Sequence, residues 1–284
     1  HMRSTRLQVC RSAVPAVERS ISLKKLYCIP KLDELSQFIA FSEKYNAGFE
    51  YNDFFLPAIL DDPDEVKRRV DIYCSINRDR SEDTLHGVFL DICVNSDDPK
   101  IQEVSDFRIH QSMDIATELG VRAVIFHTNH IPNFRLQTYR TNWLSRNATY
   151  WKKLLNEYPA VEVYVENMFD DEPDLLLALA KELSDVPHFG VCLDFAHAYL
   201  SKTPLQEWNN ALRPYTRHLH INDNFQMEDT HNPVGNGSLP WEVYRDFINA
   251  FSLEERPSVL IEVRSYKDLL ASVAYMKQKK LYPF

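Results

Sequence analysis

The feature that most constrains the fold is a regular alternation of short apolar segments with longer amphipathic ones. Short segments rich in β-branched and aromatic residues are typical of buried strands, whereas apolar residues recurring every three or four positions predict helices. Eight strands are predicted, at residues 25–29, 47–51, 85–90, 122–126, 161–165, 189–193, 218–221 and 258–261. A predicted helix follows each strand, which favours an α/β fold with a parallel sheet closed as a (β/α)8 TIM barrel.

The chain is expected to form a single domain. Its 284 residues fall within the range that α/β barrels reach undivided. A doubly wound open sheet is the alternative, but no Gly-x-Gly-x-x-Gly motif follows the first predicted strand. Residues 1–22 are predicted to be an N-terminal arm that begins with a cloning remnant, His1-Met2, and residues 23–284 the barrel domain.

Composition limits the compartment and the partners. The five cysteines are scattered, which predicts reduced thiols in a cytoplasmic protein, and residues 3–20 lack the apolar segment of a signal peptide. No apolar run approaches the roughly 20 residues of a membrane span. The net charge of −9 disfavours a nucleic-acid partner. A homo-oligomer is possible, with Tyr282 and Phe284 at an interface or in a simple tail.

Polar residues gather where the predicted strands end. They lie at or near the carboxyl ends of strands four to eight: His127, Glu166, Asp194, His220 and Glu262. Barrel enzymes build their sites at this face. A single histidine at such a position is usually a structural residue held by hydrogen bonds, and Asp194 taken alone could be a helix N-cap. Together, however, imidazoles and carboxylates at one end of the barrel would repel one another, or be buried without a partner, unless a cation binds between them.

The simplest metal shell consists of four side chains, Glu166, Asp194, His220 and Glu262. Imidazole and carboxylate ligands suit Zn²⁺, Mn²⁺, Fe²⁺ or Co²⁺ better than Ca²⁺, and Mg²⁺ remains a candidate. Such an ion could polarise a sugar carbonyl. Glu166 and Glu262 are then predicted to be catalytic and to move a proton on or off the carbon between them.

Further histidines could extend this site. His86 would join it only if the third strand ends earlier than residue 90. The segment from Asp229 to Gly237 contains two of the six glycines and is either a tight surface loop or a rim loop over the site. As a rim loop it would bring Asp229 and His231 towards His197, where the three could hold another metal or clamp a substrate.

These motifs together resemble those of the xylose isomerase-like TIM barrel superfamily. The resemblance is carried by Val165-Glu166-Asn167, Cys192-Leu193-Asp194 with His197, residues 218–223, residues 229–237 and Ile261-Glu262. That superfamily contains sugar and sugar-phosphate isomerases and epimerases, and also the AP endonuclease IV family. The motifs are specific for the superfamily but only weakly specific for one activity.

The two branches imply different uses of the same residues. In epimerase-like members, the four-ligand shell holds one divalent ion, the two glutamates act as acid and base, and the positions of His197 and Arg264 contact substrate hydroxyls. Endonuclease members hold three Zn²⁺ ions. There, His86 and His127 would join Glu166 at one zinc, the four-ligand shell would surround a second, and His197, Asp229 and His231 would hold a third.

Departures from the endonuclease pattern favour the isomerase branch. The endonucleases usually carry Asp-Thr-Cys-His in place of Asp194-Phe195-Ala196-His197, and Asp-Arg-His in place of Asp229-Thr230-His231. Loops predicted at the barrel mouth are acidic, at residues 61–64, 96–98 and 170–172, whereas DNA binding needs several Lys or Arg contacts to phosphates. One segment, with Trp143, Trp151 and five basic residues at 135–153, could instead be a nucleic-acid-binding face. A solvent-exposed amphipathic helix is the favoured interpretation of this segment.

The sequence therefore predicts a metal-dependent isomerase or epimerase acting on a small sugar or sugar phosphate. A zinc-dependent AP endonuclease is the alternative. A barrel that binds a ligand without turnover is a third possibility, disfavoured because the whole set of metal-binding residue types is present.

Overall fold

The computed structural model describes residues 24–284 and contains a closed barrel of eight parallel strands in chain order. The strands are β1 Leu26–Cys28, β2 Gly48–Tyr51, β3 Thr84–His86, β4 Ala123–His127, β5 Glu162–Glu166, β6 Phe189–Asp194, β7 Thr216–Ile221 and β8 Ser258–Ile261. The barrel closes because β1 pairs with β8 as well as with β2. This confirms the predicted TIM barrel. The predicted N-terminal arm, residues 1–22, lies outside the described residues.

Helices surround the barrel. They are α1 Leu35–Tyr45, α2 Pro57–Leu60, α3 Pro63–Ser75, α4 Pro99–Leu119, α5 Gln137–Glu157, α6 Asp174–Glu182, α7 Phe195–Leu200, α8 Leu205–Leu212, α9 Trp241–Asn249 and α10 Tyr266–Lys279. Two single turns of 3-10 helix occur at Leu32–Glu34 and Arg213–Tyr215. The sequence did not predict α2 and α7, because 4 and 6 residues are too few to develop a helical repeat.

Local signals explain where the long helices begin and end. α3 starts with proline after Asp62, whose side chain accepts hydrogen bonds from the backbone N–H groups of Asp64 and Glu65. Asp98 caps α4 in the same way, also before a proline at the first turn. Gly120 ends α4 with φ of 71°, a left-handed conformation that glycine adopts without steric cost.

The barrel has an apolar exterior packed under the helices and a mixed interior. Side chains alternate across each strand, so residues two apart share a face. Inside the barrel, Ile125, Tyr164 and Cys192 form a small buried cluster. Two residues further along β5 and β6, the inward face carries Glu166 and Asp194 instead. On the side of β5 and β6, the polar site therefore lies above this buried cluster, at the carboxyl ends of the strands.

The predicted third strand is too long. β3 ends at His86, and residues 87–90 leave the sheet. The backbone N–H of Gly87 still donates to the carbonyl of Ile125 in β4, but the N–H of Val88 donates to the Ser112 hydroxyl on α4. This switch of partner turns the chain outward, and it places His86 at the end of its strand with the other candidate ligands.

The α5 tryptophans are core residues. Trp143 and Trp151 are 0% and 2% exposed, so neither is available to stack on a nucleotide base. At the other end of the chain, the Tyr244 hydroxyl donates to the carbonyl of Tyr282, and Phe284 packs edge-on against Tyr45. The C-terminal aromatics thus pack on their own chain, and a homo-oligomer stays a prediction.

Two bulk expectations concern thiols and membranes. No disulfide links the cysteines within residues 24–284, as scattered cysteines predict. None of the helices in that range combines the length and the apolar character needed to cross a membrane. A cytoplasmic location stays a prediction.

Candidate active site

The four predicted metal ligands converge on one point. Each of Glu166, Asp194, His220 and Glu262 offers a ligand atom, and these atoms all lie within 4.8 Å of one another. The four side chains are 0–8% exposed. His220 Nδ1 lies 3.2 Å from Glu166 Oε2 and 3.5 Å from Glu262 Oε2. The residues come from β5, β6, β7 and the residue after β8, so neighbouring parallel strands bring them together.

Two interactions fix Asp194 within this group. As the N-cap of α7, its Oδ1 accepts a hydrogen bond of 2.7 Å from the backbone N–H of His197. The Asn167 side chain also accepts from the Asp194 N–H and donates to the Asp194 carbonyl, both at 2.9 Å. Asp194 Oδ2 is buried and has no hydrogen-bond partner among the described residues. The capping role and the predicted metal-ligand role would therefore use different oxygens of one carboxylate.

His220 is held from below by a residue that sequence reasoning missed. Glu50 in β2 is fully buried, and its Oε1 lies 3.0 Å from His220 Nε2. The Glu50 Oε2 accepts a hydrogen bond from the Thr84 hydroxyl and lies 3.2 Å from His218 Nε2. The only signal in the sequence is a glutamate within the otherwise apolar segment 47–51.

Electrostatics within the cluster are unbalanced in the absence of a cation. The pKa of Asp194 is raised to about 7, chiefly by burial and also by the nearby carboxylates of Glu166 and Glu262, against the opposing imidazoles of His197 and His220. Burial would also raise the pKa of Glu166, but the imidazoles of His220 and His127 outweigh it and hold that pKa well below its usual range. Three carboxylates in one buried space thus compete for positive charge.

The donor set fits a divalent cation. Several of its atoms are buried without a hydrogen-bond partner among the described residues: Glu166 Oε1 and Oε2, Asp194 Oδ2, His220 Nδ1 and Glu262 Oε2. Native structures leave few buried polar atoms unpaired, and an ion is one of the explanations for such a group. Carboxylate oxygens with one imidazole are the ligands that Mn²⁺, Zn²⁺ and Co²⁺ accept.

A second group of possible ligands shares Glu166. His86, His127 and Glu166 also place ligand atoms within 4.8 Å of one another. The Nε2 atoms of His86 and His127 lie 3.8 Å and 3.4 Å from Glu166 Oε2. Burial lowers the pKa of His127, which favours the neutral imidazole needed for a metal or for a hydrogen bond to substrate. His86 and His127 therefore lie at the site, and their predicted role as substrate contacts or additional ligands stays a prediction.

The predicted rim loop reaches the site. Asp229 Oδ2 lies 2.8 Å from His231 Nε2 and 3.4 Å from His197 Nε2. Burial opposes the charged form of His231, but the carboxylates of Glu262 and Asp229 raise its pKa to about 9. The residue has φ of 50°, a conformation uncommon for a side chain other than glycine. The loop thus carries a charged Asp–His pair to the edge of the cluster.

Asp223 holds the rim loop in place. Its two carboxylate oxygens accept hydrogen bonds of 2.9–3.0 Å from the N–H groups of Asn224, Gly235 and Leu239 and from the indole of Trp241. A Cβ on Gly237 would lie 2.3 Å from the Asp223 carboxylate, so glycine is required for the loop to pass this close. Asp223 is therefore a buried anchor for the loop.

A cavity of about 200 Å³ opens over the cluster. It is lined by Asn52, Phe55, His86, Phe89, His127, Met168, Phe169, His197, Asp229, His231 and Glu262. Phe55 and Phe89 meet edge to face at 4.9 Å, and Phe169 lies 5.6 Å from His197. No lysine or arginine is among the described residues of this lining. Arg264 is exposed beyond the end of β8, outside the lining, and its contact with a substrate stays a prediction.

Comparison with known proteins identifies the family. A sequence model of the xylose isomerase-like TIM barrel family matches residues 43–279, which cover seven of the eight strands and the whole four-ligand cluster. The chain belongs to this family. The predicted resemblance is thereby confirmed.

Several solved structures share the fold. A Thermus thermophilus protein soaked with ZnCl₂ has a TM-score of 0.66 at 23% identity, with 89% of this chain and 97% of that chain covered. A D-tagatose 3-epimerase-like protein has a TM-score of 0.69 at 19% identity, with 89% and 96% covered. A D-allulose 3-epimerase from Methylomonas sp. in complex with D-allulose has a TM-score of 0.65 at 16% identity, with 91% and 97% covered.

One relative among curated proteins is also similar. An uncharacterized protein of Methanocaldococcus jannaschii is 24% identical over 174 residues, which is 57% of this chain. The match spans 59% of that relative, less than two thirds of its length.

Proposed function

We propose that the protein is a divalent-metal-dependent isomerase or epimerase of a small sugar. The observation that carries this proposal is the convergence of two glutamates, an aspartate and a histidine beneath a cavity, with several of their buried polar atoms unpaired. A bound divalent ion would polarise a substrate carbonyl and so acidify the adjacent C–H bond. The native ion is proposed to be Mn²⁺, Zn²⁺, Co²⁺ or Mg²⁺.

The two glutamates are proposed to move the proton. Glu166 comes from β5 and Glu262 follows β8, so they approach the cavity from separated strands. One carboxylate would accept the proton from the carbon next to the carbonyl, and the other would return a proton to the neighbouring atom or the opposite face. Glu262 itself lines the cavity, whereas Glu166 is 1% exposed beneath it.

The cavity walls suit a sugar. Phe89 and Phe169 offer apolar faces for the C–H groups of a sugar ring or chain, while His127 and His197 offer hydrogen bonds to hydroxyls. A space of about 200 Å³ favours a monosaccharide-sized ligand. The lack of a lysine or arginine in the described lining favours a neutral sugar over a sugar phosphate.

Charges around the mouth weigh against nucleic acid. The arginines near the β4–α5 loop are already paired with acids: Arg135 with Asp171 at 2.6 Å and Arg140 with Glu172 at 3.0 Å. Arg146 likewise contacts Asp97 at 2.7 Å. Several free cations are needed to neutralise phosphates along a duplex.

The alternative function, a zinc-dependent AP endonuclease, is supported by one specific observation. The second group of His86, His127 and Glu166 is close enough to hold another ion beside the four-ligand cluster. In that case phosphodiester hydrolysis at abasic DNA would use up to three Zn²⁺ ions, with His197, Asp229 and His231 at the third.

The metal content of His127→Gln is expected to separate the two functions. If His127 contacts a sugar hydroxyl, the variant keeps about one ion per chain and its KM rises, because hydrogen bonds to substrate are lost without loss of a ligand. The metal content is measured by mass spectrometry after removal of loosely bound ions. The control is His130→Gln, because His130 pairs with Asp170 at 2.9 Å and lies outside both ligand groups. Loss of an ion from His127→Gln alone would support the endonuclease.

The direct test of the proposed function is hydrogen exchange into substrate. Free and phosphorylated ketoses are incubated with metal-loaded protein in D₂O, and deuterium next to the carbonyl is followed by NMR. We expect deuterium incorporation with an accompanying epimer or isomer for at least one sugar. Incision of an abasic-site duplex, lost in Glu166→Gln and without sugar exchange, would replace this proposal with the alternative. Turnover in neither assay would favour a binding-only barrel.

A further inference from the structure

A second polar network lies within the barrel, directly below the metal cluster. Its centre is Glu50, which is 0% exposed and which faces the imidazoles of His218 and His220. The Thr84 hydroxyl donates to the same carboxylate at 2.7 Å, and His218 Nδ1 lies 2.6 Å from the Ser258 hydroxyl. Burying a carboxylate costs desolvation free energy, which favours a role for Glu50 beyond packing.

We propose that Glu50 is a positioning residue for the metal ligand His220. A neutral imidazole has one nitrogen that carries a proton and one that carries a lone pair. Glu50 Oε1, 3.0 Å from Nε2, would hold the proton on that nitrogen and leave the Nδ1 lone pair facing Glu166 and Glu262. A carboxylate behind a metal-ligating histidine fixes both the tautomer and the ring orientation, and increases the basicity of the ligand.

The two carboxylate oxygens of Glu50 face different partners. Oε2 is shared between the Thr84 hydroxyl and His218, whereas Oε1 faces His220. The Thr84 hydroxyl donates to Oε2, and the Ser258 hydroxyl contacts the far side of His218. The buried Oε1 has no formed hydrogen bond among the described residues and would take the proton on His220 Nε2, 3.0 Å away. This arrangement favours an anchored anion over a ligand of a second ion at Glu50, His218 and His220, although those three also lie within ligand distance of one another.

The inference rests on the divalent ion of the proposed function but does not require sugar isomerisation. Its test therefore measures metal affinity and not turnover. Purified apoprotein is titrated with Zn²⁺ or Mn²⁺ against a chromogenic chelator. We expect Glu50→Leu to weaken metal affinity by about 10–100-fold, the usual effect of removing such a partner. Glu50→Gln is expected to lose less, because its amide oxygen can still accept the Nε2 proton.

The matched control is Thr84→Val, which removes the donor to Oε2 and leaves Oε1 facing His220. It is expected to lower the unfolding temperature of the apoprotein while keeping the metal Kd close to the wild-type value. An independent readout is the ¹⁵N spectrum of the His220 imidazole in the Zn²⁺-loaded wild-type protein. We expect the proton on Nε2, a result that a merely structural role of Glu50 would not require.

Several results would overturn the inference. These are a folded Glu50→Leu with wild-type metal affinity, a Thr84→Val effect on metal binding as large as that of Glu50→Leu, or a second bound ion that His218→Gln removes. If Glu50→Leu does not fold, Glu50→Gln and the spectrum of the Zn²⁺-loaded wild-type protein decide, and zinc bound through Nε2 with the proton on Nδ1 of His220 refutes the inference. A wild-type protein that binds no divalent ion would instead remove the proposed function itself.

Discussion

Replacing either of the glutamates proposed to transfer the proton, Glu166 or Glu262, by glutamine is expected to lower the rate of substrate C–H exchange by about 10²–10⁴-fold, the contribution of a positioned acid or base. Glu166→Gln and Glu262→Gln keep the shape of the side chain but remove the group that accepts the proton. They also remove one negative charge from the metal cluster. The measurement is the exchange rate in D₂O at saturating metal, with the sugar that the wild-type protein turns over fastest.

A matched variant separates this effect from a general loss of charge. Glu157 pairs with His110 at 3.0 Å at the end of α5, outside the cavity lining and both ligand groups. Glu157→Gln is therefore expected to keep the wild-type exchange rate. If Glu166→Gln and Glu262→Gln were folded and exchanged at rates close to wild type, neither carboxylate would be the proton-transfer group.

Removing the metal is expected to abolish exchange and to lower the unfolding temperature. A ligand that binds only the folded state at 100 times its Kd stabilises it by about 2.7 kcal/mol. For a domain of this size that corresponds to a shift on the order of 5–10 °C. The physical reason is the unpaired carboxylate oxygens of Glu166, Asp194 and Glu262, which repel one another until a cation neutralises them. Calorimetry before and after dialysis against a chelator measures the shift, and adding Mn²⁺, Zn²⁺ or Co²⁺ back should restore both properties.

Asp194→Asn provides the comparison for that experiment. This variant removes a charge from the cluster while Asn can still cap α7, so its unfolding temperature should respond far less to the chelator. A wild-type protein whose exchange rate and unfolding temperature were indifferent to the chelator would contradict a structural and catalytic ion at this site.

The part of the site that the sequence could predict is the part that topology determines. In a closed parallel barrel every strand ends at the same face, so a polar residue at a strand end is already placed near the others. Asp194, His220 and Glu166 could be grouped on this basis alone, and they lie together in the structure. The combination of carboxylates with an imidazole then favoured a shared divalent-cation site over separate structural roles for these residues.

The parts that the sequence could not predict depend on contacts between distant positions. Glu50 is a single carboxylate in a short apolar strand, and only the placement of His218 and His220 beside it reveals its environment. The end of β3 was misplaced because Val88 and Phe89 continue an apolar run although the chain has left the sheet. Their apolar character reflects burial of Val88 and the lining of the cavity by Phe89.

The predicted role of Arg264 depends on the family resemblance alone. Arg264 lies two residues after Glu262, and the resemblance implies that this position contacts a substrate hydroxyl. In the structure its side chain is exposed, and the described lining of the cavity does not include it. A residue that directly follows a strand must lie near the end of that strand, but the direction of a long side chain in the following loop is not determined by the sequence.

The most direct test of the account is the location and number of bound ions in crystals of the metal-loaded protein, measured by anomalous diffraction at the absorption edge of the added metal. The account predicts one strong peak in contact with Glu166, Asp194, His220 and Glu262, absent from crystals of Asp194→Asn grown in the same way. No peak at that position, with the four side chains turned towards separate partners, would contradict it.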